Sequence, residues 1–459
     1  MAITAAARAR ASGDVTLPLP RDPWPHLATV RRTRMVQTAL YALVLLWAVA
    51  ECVRAMIRLD LVVFHGYVTL GEVTLMPASD PRLLHLNTWP PFFEFVAVGI
   101  ALLARVSEHL ALALWQLIAF LATWGCCKLS AQLFLGDDAP IGFWPRDPTR
   151  FAFGSSALVV PFLMTARLFQ EHAQHTQVNV QVVFLVLLAF HWFRRSRVPA
   201  GGAALALAVS LKATPLVFLL YLGYRRAWRP LAWTVAFLVF LNVVLPVAAF
   251  GPERAAHDFT EWRAVAQREI REPVAEFRNQ SLLAALKRGL TTAGSHLDPV
   301  HYAVADLSDG AVRGVFYGLA GLALAFLAWR FRGPGRSPGL TGPVIGAEIA
   351  IGLGAMTVID PLAWKAHYVT LIVLYTFVWW ALGRRAAGAP GAAWRWALWW
   401  VSFACLTFSA PALIGGRGRN LVESVDVILV GALALIALAI SLLPEAERAA
   451  QPEAARATR

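Results

Sequence analysis

Charge is what this sequence has least of. Only 15% of its 459 residues are charged, against about 25% in an ordinary soluble domain, while 58% are hydrophobic. A single soluble core stops growing near about 250–300 residues and could not bury so much apolar sequence. The composition therefore excludes a disordered chain and a typical soluble enzyme, and it indicates a polytopic membrane protein.

Cysteine is also scarce, with four residues in the whole chain. All four lie within apolar stretches and lack the spacing of a metal site, so a disulfide scaffold is excluded and no metal site is expected from them. The adjacent pair Cys126 and Cys127 is interpreted as helix packing. No cleavable signal peptide is expected, because residues 1–34 are polar, contain proline and have no apolar core segment.

Lysine is nearly missing, and arginine supplies almost all of the net charge of +13. The arginines come in short clusters between apolar runs, which is typical of cytoplasmic loops. We therefore expect a membrane protein with no nucleic-acid partner. The clusters lie at 31–34, 194–197, 225–229, 330–336 and 384–385.

Long apolar runs are abundant and predict about 10–12 transmembrane helices, since a bilayer core of about 30 Å needs roughly 17–25 apolar residues in a helix. The runs are 35–57, 92–107, 110–134, 152–168, 178–193, 198–224, 230–250, 312–330, 342–358, 367–383, 394–413 and 421–443. With the arginine clusters in the cytoplasm, the exterior loops are 58–91, 251–311, 359–366 and 414–420. The expected organisation is a cytoplasmic segment 1–34, a transmembrane domain 35–443 and a cytoplasmic tail 444–459.

Two apolar segments do not fit simple spanning. The run 152–168 gives the wrong parity if it crosses, and we expect it to be re-entrant or half-length. The run 198–224 has arginine clusters at both ends and is interrupted at Lys212-Ala213-Thr214-Pro215. Proline breaks a helix, so this run predicts two half-helices meeting at Lys212. Broken helices at membrane depth occur only within protein or beside a watery cavity, which indicates a site.

Polar residues are few enough to be examined singly. Asp60 follows the first apolar run and could act as a general base, or it could cap the helix or pair with Arg58. His65 follows on the same loop. The loop ends at Trp89 before a double proline, where a rigid loop end with an aromatic anchor is the simpler interpretation.

Gln177 and Asn179 open the run at 178–193, where a helix N-terminus favours anions such as phosphate. His172 and His175 are three residues apart and could ligate a metal, but no third ligand is placed nearby. Lys212 lies in the middle of an apolar run, and an intramembrane cation is a functional-site hypothesis by default, with snorkelling as the alternative.

The remaining polar groups lie in predicted exterior connections. Asn279 and Gln280 precede Ser281 in the loop 251–311, while Lys365, His367 and Tyr368 end the loop 359–366. Separately, each group could be solvated. Together they place amides, a histidine and two lysines on the face that holds Asp60, or in a cavity reached from it.

The order of these motifs resembles glycosyltransferase family 87, the polyprenyl-phosphate-mannose-dependent enzymes of the GT-C superfamily. The resemblance covers roughly residues 35–383. It implies an all-α GT-C fold, Asp60 as the catalytic base, and a set of residues that bind the donor's phosphate and sugar. That set is Gln177, Asn179, Lys212, Asn279, Gln280, His367 and Tyr368, with His65, Trp89 and Lys365 as possible additions.

The resemblance further implies transfer of a sugar, mannose by preference, from a polyprenyl-phosphate donor to a lipid or glycan acceptor at the exterior face of a bacterial inner membrane. We expect inversion at the anomeric carbon, no cofactor and no metal. The residues after Asp60 and those before Pro90 depart from the family's usual tyrosine-containing patterns. The alternatives are a transporter or flippase of polyprenyl-linked sugars, or the same fold with an arabinofuranosyl or glucosyl donor.

Overall fold

The computed structural model describes parts of 35–57 and then residues 62–76, 89–136, 151–271, 275–292, 298–332, 340–385 and 391–450. Within these ranges every regular element is a helix and none is a strand, which confirms the predicted all-α class. The described positions between 35 and 57 are helical, where a first span is predicted. Asp60 and the loop residues Asn87 and Thr88 lie outside the described residues.

The helices follow one another with short connections. The first half holds α1 (Val62–Thr74), α2 (Phe93–Val106), α3 (Glu108–Leu135), α4 (Phe151–His175), α5 (Asn179–Arg194), α6 (Val198–Leu211), α7 (Val217–Tyr224), α8 (Trp228–Val239) and α9 (Leu245–Phe250). The second half holds α10 (Pro252–Arg271), α11 (Leu282–Leu290), α12 (Asp309–Arg330), α13 (Pro343–Ile359), α14 (Leu371–Gly383), α15 (Ala392–Thr407), α16 (Pro411–Ser424) and α17 (Val427–Ala450). Short 3₁₀ turns at Thr214–Leu216 and Lys365–Thr370 lead into α7 and α14, and a π-helical turn at Phe240–Val244 joins α8 to α9.

Five helices in the described residues are long and apolar enough to cross a membrane, or up to seven if each of two bent pairs counts as one span. The bent pairs are α4 with α5, at 119°, and α15 with α16, at 87°. A polytopic membrane protein with broken helices is thereby confirmed. The five long spans are Glu108–Leu135, Trp228–Phe250, Asp309–Arg330, Lys365–Gly383 and Val427–Ala450.

The bundle is built around α14, which is buried along almost its whole length. Phe377 of α14 stacks on Phe134 of α3 with 5.4 Å between ring centroids, and Trp380 lies at the same distance from Phe134. Tyr375 meets Trp399 of α15 edge to face at 4.9 Å. These aromatic contacts fix α14 between α3 on one side and α15 on the other.

One end of the bundle, here called the arginine end, collects the basic clusters. Arg194 at the end of α5 donates to the carbonyl of Gln132 near the end of α3. Arg330 and Arg385 end α12 and α14, and they pair with Glu447 and Glu445 in the last turns of α17. Cationic side chains at helix C-termini are also favoured by the helix dipole.

The opposite end, here called the site end, is where α4 ends and α5 begins, where α6 breaks at Lys212, and where α13 passes into α14. The hairpin of α6 and α7 starts and finishes at the arginine end and turns at the site end. Its turn is the predicted break: Lys212 leaves the helix with φ −155° and ψ 129°, and Pro215 sits in the 3₁₀ turn that follows. The half-helices predicted for 198–224 are confirmed.

Local sequence explains the other main break. The apolar stretch between 92 and 134 is split at Ser107, which is extended and whose hydroxyl accepts from the backbone N–H of Leu110 at 3.3 Å. This hydrogen bond caps α3 and ends α2. As a result α2 has 14 residues, about 21 Å, which is too short to span a bilayer core.

The structure corrects some predicted lengths. Of the two alternatives predicted for 152–168, the half-length helix is wrong, because α4 has 25 residues and extends through the polar stretch to His175. The re-entrant alternative agrees with the 119° bend between α4 and α5. The regions predicted as loops 58–91 and 251–311 contain α1, α10 and α11. Residues 414–420 lie within α16, which is kinked at Gly415.

Candidate functional site

Lys212 stands at the centre of the site end. Its Nζ lies 3.1 Å from Asn179 Oδ1, 3.3 Å from His367 Nε2 and 3.3 Å from Asp360 Oδ2. These partners come from the start of α5, the turn before α14 and the end of α13. The helix break therefore delivers the lysine to a point where three other elements meet, as the sequence predicts for an intramembrane cation.

His367 is held so that one ring nitrogen remains available. Its Nε2 faces the Lys212 ammonium, which has only donors, so Nε2 accepts and the proton belongs on Nδ1. Nδ1 is buried and makes no well-formed hydrogen bond among the described residues, although the backbone of Leu362 lies near the imidazole. The nearest carboxylate oxygen, Asp360 Oδ2, is 4.0 Å away. A buried N–H without an acceptor is costly, and it is suited to receive an acceptor from a ligand.

Asn179 opens α5 as predicted, at a helix start organised by a histidine. The backbone N–H of Val180 donates to His172 Nε2 at 3.1 Å, so the imidazole caps the helix in place of the usual serine or aspartate. The Asn179 amide also donates to the carbonyl of Ala366 at 3.4 Å. Because its Nε2 is used as a cap, His172 has a structural task, and the metal alternative has no support here.

A pocket of about 250 Å³, including the part open to solvent, lies between these residues. One side carries the ammonium, the imidazole and the amide described above. The other side is apolar, with Val182 and Val183 of α5 and Met356 of α13. We name it the donor pocket after the role proposed for it below; its lining is Asn179, Val182, Val183, Lys212, Thr214, Met356, Thr357, Asp360, His367 and Thr370.

Lys365 lies near this pocket in sequence but does not line it. Its Nζ is 2.7 Å from Glu171 Oε1 and 2.7 Å from Glu423 Oε1, and all three side chains are buried. Arg167 also pairs with Glu171. The lysine is thus held between two carboxylates and joins α4, the turn before α14 and α16. Its ammonium is therefore engaged by two protein carboxylates and does not line the donor pocket.

Asn279 and Gln280 are fully buried and bind backbone groups. The Asn279 side chain accepts from Ala363 N at 3.0 Å and donates to Pro361 O at 3.0 Å. The Gln280 side chain donates to Glu423 O at 2.7 Å and accepts from Ile428 N at 3.1 Å. The Asn279 bonds fasten this segment to the connection before α14, and the Gln280 bonds fasten it to the end of α16 and the start of α17.

Tyr368 completes this anchor. Its hydroxyl donates to the carbonyl of Gln280 at 2.5 Å, and its ring is fully buried. The same segment is held from the other side by Asp298, whose Oδ1 accepts from Phe277 N at 2.7 Å. Burial raises the pKa of Asp298, and the hydrogen bond from Phe277 opposes that shift.

Gln177 is buried at the turn between α4 and α5, where Thr176 has a left-handed φ of 50°. Its backbone N–H donates to the carbonyl of His172 at 3.3 Å. It does not line the donor pocket. The structure therefore brings Asn179, Lys212 and His367 together, and it leaves Gln177, Asn279, Gln280 and Tyr368 outside that pocket.

The two further sequence candidates lie on the α1 side of the molecule. His65 Nε2 pairs with Glu108 Oε1 at 2.7 Å, with both side chains partly exposed. Trp89 stacks on Phe93 at 5.3 Å and meets Tyr67 at 5.1 Å. Both residues are outside the donor pocket, and Asp60, the predicted base, is not among the described residues.

Asp360 is the pocket residue that sequence reasoning missed. It lines the donor pocket beside Lys212, although the sequence shows only an acidic residue between an apolar run and a proline. One available signal was its rarity, since acidic residues are few and this one ends an apolar helix. The described part of the chain holds no group of three or more His, Cys, Asp or Glu side chains that could bind a metal.

The sequence model of glycosyltransferase family 87 matches residues 87–350, which is more than half of the chain. The chain belongs to glycosyltransferase family 87. As a member of this family with several membrane-type helices, it is a membrane glycosyltransferase. The matched region contains Asn179 and Lys212, while Asp360 and His367 follow it directly.

A curated relative in Mycobacterium tuberculosis (strain CDC 1551 / Oshkosh) has the name polyprenol-phosphate-mannose-dependent alpha-(1-2)-phosphatidylinositol pentamannoside mannosyltransferase. This family 87 chain is 26% identical to it over 354 residues, which cover 74% of this chain and 69% of the relative. No solved structure matches the chain.

Proposed function

We propose that this glycosyltransferase transfers a sugar, mannose by preference, from a polyprenyl-phosphate donor to a hydroxyl of a lipid or glycan acceptor at the exterior membrane face. The observation that carries the proposal is that the Lys212 ammonium contacts Nε2 of His367 at a helix break, while the Nδ1 of the same imidazole is buried without a well-formed hydrogen bond among the described residues. A cation beside a free N–H donor is suited to an anionic phosphate oxygen. Mannose is supported by the name of the mycobacterial relative.

In the proposed reaction, Asp60 accepts the proton of the acceptor hydroxyl as its oxygen attacks the anomeric carbon. The bond between that carbon and the phosphate oxygen breaks, and its electron pair stays on the phosphate. Lys212 and His367 stabilise the charge that develops there, and Asn179 helps to place the lysine. One displacement inverts the anomeric centre, so a β-linked donor gives an α-linked product.

The arrangement of helices supports a lipid donor. The span Trp228–Phe250 and helix α12 are exposed along most of their apolar length. After Lys212, the side chains of Leu216 in the 3₁₀ turn and of Leu220 on α7 are also exposed. A polyprenyl tail could therefore lie against apolar helix surfaces while its phosphate reaches the donor pocket from the side.

The other predicted donor-binding residues receive a narrower proposal. Asn279, Gln280 and Tyr368 shape the pocket by holding the segment that carries Asp360 and His367. Gln177 sits at the start of α5, where it supports the turn next to Asn179. Lys365 acts in the same indirect way through Glu171 and Glu423.

The test is transfer of labelled sugar from polyprenyl-phosphate mannose by purified protein in vesicles that contain a membrane lipid extract. We expect a glycosylated product with and without chelator, because Lys212 and His367 take the role that a metal would have. Asp60→Asn should lower the rate by about 10²–10⁴-fold. Asp309→Asn, which removes the same charge from a half-exposed site, is the control.

Three results would contradict the proposal. Full activity in Asp60→Asn would remove Asp60 as the base. Loss of product in chelator would contradict metal independence. Movement of labelled donor across the vesicle membrane without any glycosylated product would favour the transporter instead.

The proposed face has its own test. Arg278 is exposed beside the buried Asn279, so Arg278→Cys should react with an impermeant thiol reagent added outside intact cells or spheroplasts. Reaction from the cytoplasmic side alone would overturn the exterior assignment.

A further inference from the structure

Asp360 is fixed in the donor pocket by two contacts. Its Oδ1 accepts from the backbone N–H of Leu362 at 3.2 Å, which holds the carboxylate in the turn after α13. Its Oδ2 lies 3.3 Å from the Lys212 ammonium. The side chain is about 10% exposed, so solvent screens this pair only weakly.

The two contacts limit what Asp360 can do. One oxygen is committed to the backbone of its own turn and the other to a lysine. The carboxylate also sits among the groups that suit the donor's phosphate. A general base should face the acceptor hydroxyl instead, so the geometry gives Asp360 a different task.

That task follows from the charge of the pocket. Among the described residues that line it, Lys212 and Asp360 are the ones that carry formal charge, since the Nε2 of His367 faces the ammonium and is unprotonated. The positive charge of the lysine is therefore matched inside the pocket before any ligand enters. The buried cluster of Arg167, Glu171, Lys365 and Glu423 is likewise balanced.

The proposed reaction changes the charge of its lipid. The donor is a phosphodiester with one negative charge. Once its bond to the sugar breaks and the hydroxyl proton passes to the base, the remaining polyprenyl phosphate is a phosphomonoester with a second pKa near about 6. At neutral or higher pH it carries nearly two negative charges. A pocket with an unmatched lysine would hold this product more tightly than the donor.

We infer that Asp360 sets the pocket charge to near zero, so that the phosphodiester donor is bound and the dianionic phosphomonoester product is released. The inference rests on the proposed function. Asp360 is thus a specificity-determining residue that discriminates the donor from the product. By matching the charge of Lys212, it limits inhibition by the product.

The experiment compares two ligands that differ in charge at one pH. Farnesyl phosphate and its methyl phosphodiester are titrated at pH 8 into the wild type and Asp360→Asn. The asparagine keeps the size of the side chain and an oxygen that accepts from Leu362. Glu447→Gln is the matched control, because it removes one negative charge at the arginine end.

In the wild type we expect the two ligands to bind within about threefold of each other. In Asp360→Asn the monoester should gain roughly tenfold or more over the diester, because one added ligand charge then meets an unmatched lysine. Glu447→Gln should behave as the wild type. In turnover assays, Asp360→Asn should show stronger inhibition by added farnesyl phosphate.

The outcomes separate the two proposals. If both ligands bind the wild type but the ratio is unchanged in Asp360→Asn, the charge inference is wrong and the proposed function stands. If neither ligand binds the wild type, the phosphate site fails and the inference fails with it. Should Asp360→Asn not fold, the wild type decides alone, since a tenfold preference for the monoester would contradict a neutral pocket.

Discussion

Two lysines lie a few residues or a few ångströms from the same histidine, and their surroundings differ. Lys212 contacts one carboxylate, one amide oxygen and the imidazole of His367, and it lines a pocket. Lys365 is two residues before that histidine, lies between Glu171 and Glu423, and does not line the donor pocket. Lys212 can therefore face a ligand in the pocket, whereas Lys365 is engaged by two protein carboxylates.

The difference shows that a buried lysine does not by itself mark a binding site. What separates the two is the backbone that carries them. Lys212 ends a broken helix beside a histidine N–H without an acceptor. Lys365 begins a helical turn that is packed into α4 and α16. Substitution of Lys365 should therefore lower mainly the stability, and substitution of Lys212 should lower mainly the activity.

The largest expected effect is on stability, in Lys365→Met. Loss of the ammonium leaves Glu171 and Glu423 buried without their shared partner, and breaking such a buried pair costs about 3–5 kcal/mol. Thermal unfolding in detergent should move to clearly lower temperature. Lys287→Met, whose partner Asp309 is half-exposed, is the control and should shift far less. A stable Lys365→Met protein with weakened donor binding would contradict the proposal that Lys365 acts on stability and Lys212 on the ligand.

The next effect is on catalysis, in Lys212→Met. Removing one charged donor from a developing anion costs about 10²–10³-fold in rate. We expect kcat to fall by that factor in the sugar-transfer assay, while the unfolding temperature falls less than in Lys365→Met, because one partly buried carboxylate rather than two buried ones loses its partner. Lys212→Arg should recover part of the rate. Equal loss of stability in Lys212→Met and Lys365→Met would contradict the comparison.

A smaller effect is expected in Asn279→Ala. This variant tests whether Asn279 affects activity by holding the connection before α14 and not by binding the donor. The Asn279 side chain satisfies the backbone N–H of Ala363 and the carbonyl of Pro361. Leaving buried groups unpaired costs about 1–3 kcal/mol. Activity should decline as the unfolding temperature declines, and Asn279→Asp should restore the accepting contact to Ala363. A loss of donor affinity at unchanged stability would instead indicate direct donor contact.

The smallest effect belongs to an exposed pair, Glu72 and Arg105, which are 2.6 Å apart on α1 and α2. The hydrogen bond from Arg105 lowers the pKa of Glu72. The stabilisation is therefore present above the ordinary glutamate pKa and is lost as the pH falls through the lowered value. Glu72→Gln should shift the unfolding temperature less than any variant above, and high salt should remove the shift.

Much of the architecture could be predicted from the sequence, because local features of a membrane protein's sequence indicate where helices start and break. Proline after Lys212 and arginines at both ends of its run predicted the hairpin turn, and Asn179 opens its helix where the polar stretch meets the apolar one. The length of α4 was misjudged for the same local reason. The last turns of α4 are polar, so the hydropathy pattern predicted a helix end earlier than the one in the structure.

The site could be predicted only in part, because contacts between residues that are distant in the sequence produce no local sequence pattern. Asp360 at the end of α13 contacts Lys212 at the end of α6, and the sequence near either residue does not predict this contact. Asn279 and Gln280 looked like ligand-binding amides in a loop, yet buried backbone groups needed those same amides. Lys365 and Lys212 have the same chemistry in sequence, and packing alone separates them.

The α6–α7 hairpin has a consequence for depth. Helix α6 has 14 residues, so Lys212 lies at most about 21 Å from its start at the arginine end. A bilayer core is about 30 Å thick, so an α6 that starts at one edge of the core would place Lys212 several ångströms inside the opposite edge. Under the proposed function, the phosphate of the lipid donor would then have to enter the core to reach Lys212, and it would have to go deeper in a thicker bilayer. Reconstitution in thin bilayers should therefore favour transfer, and thick ones should slow it.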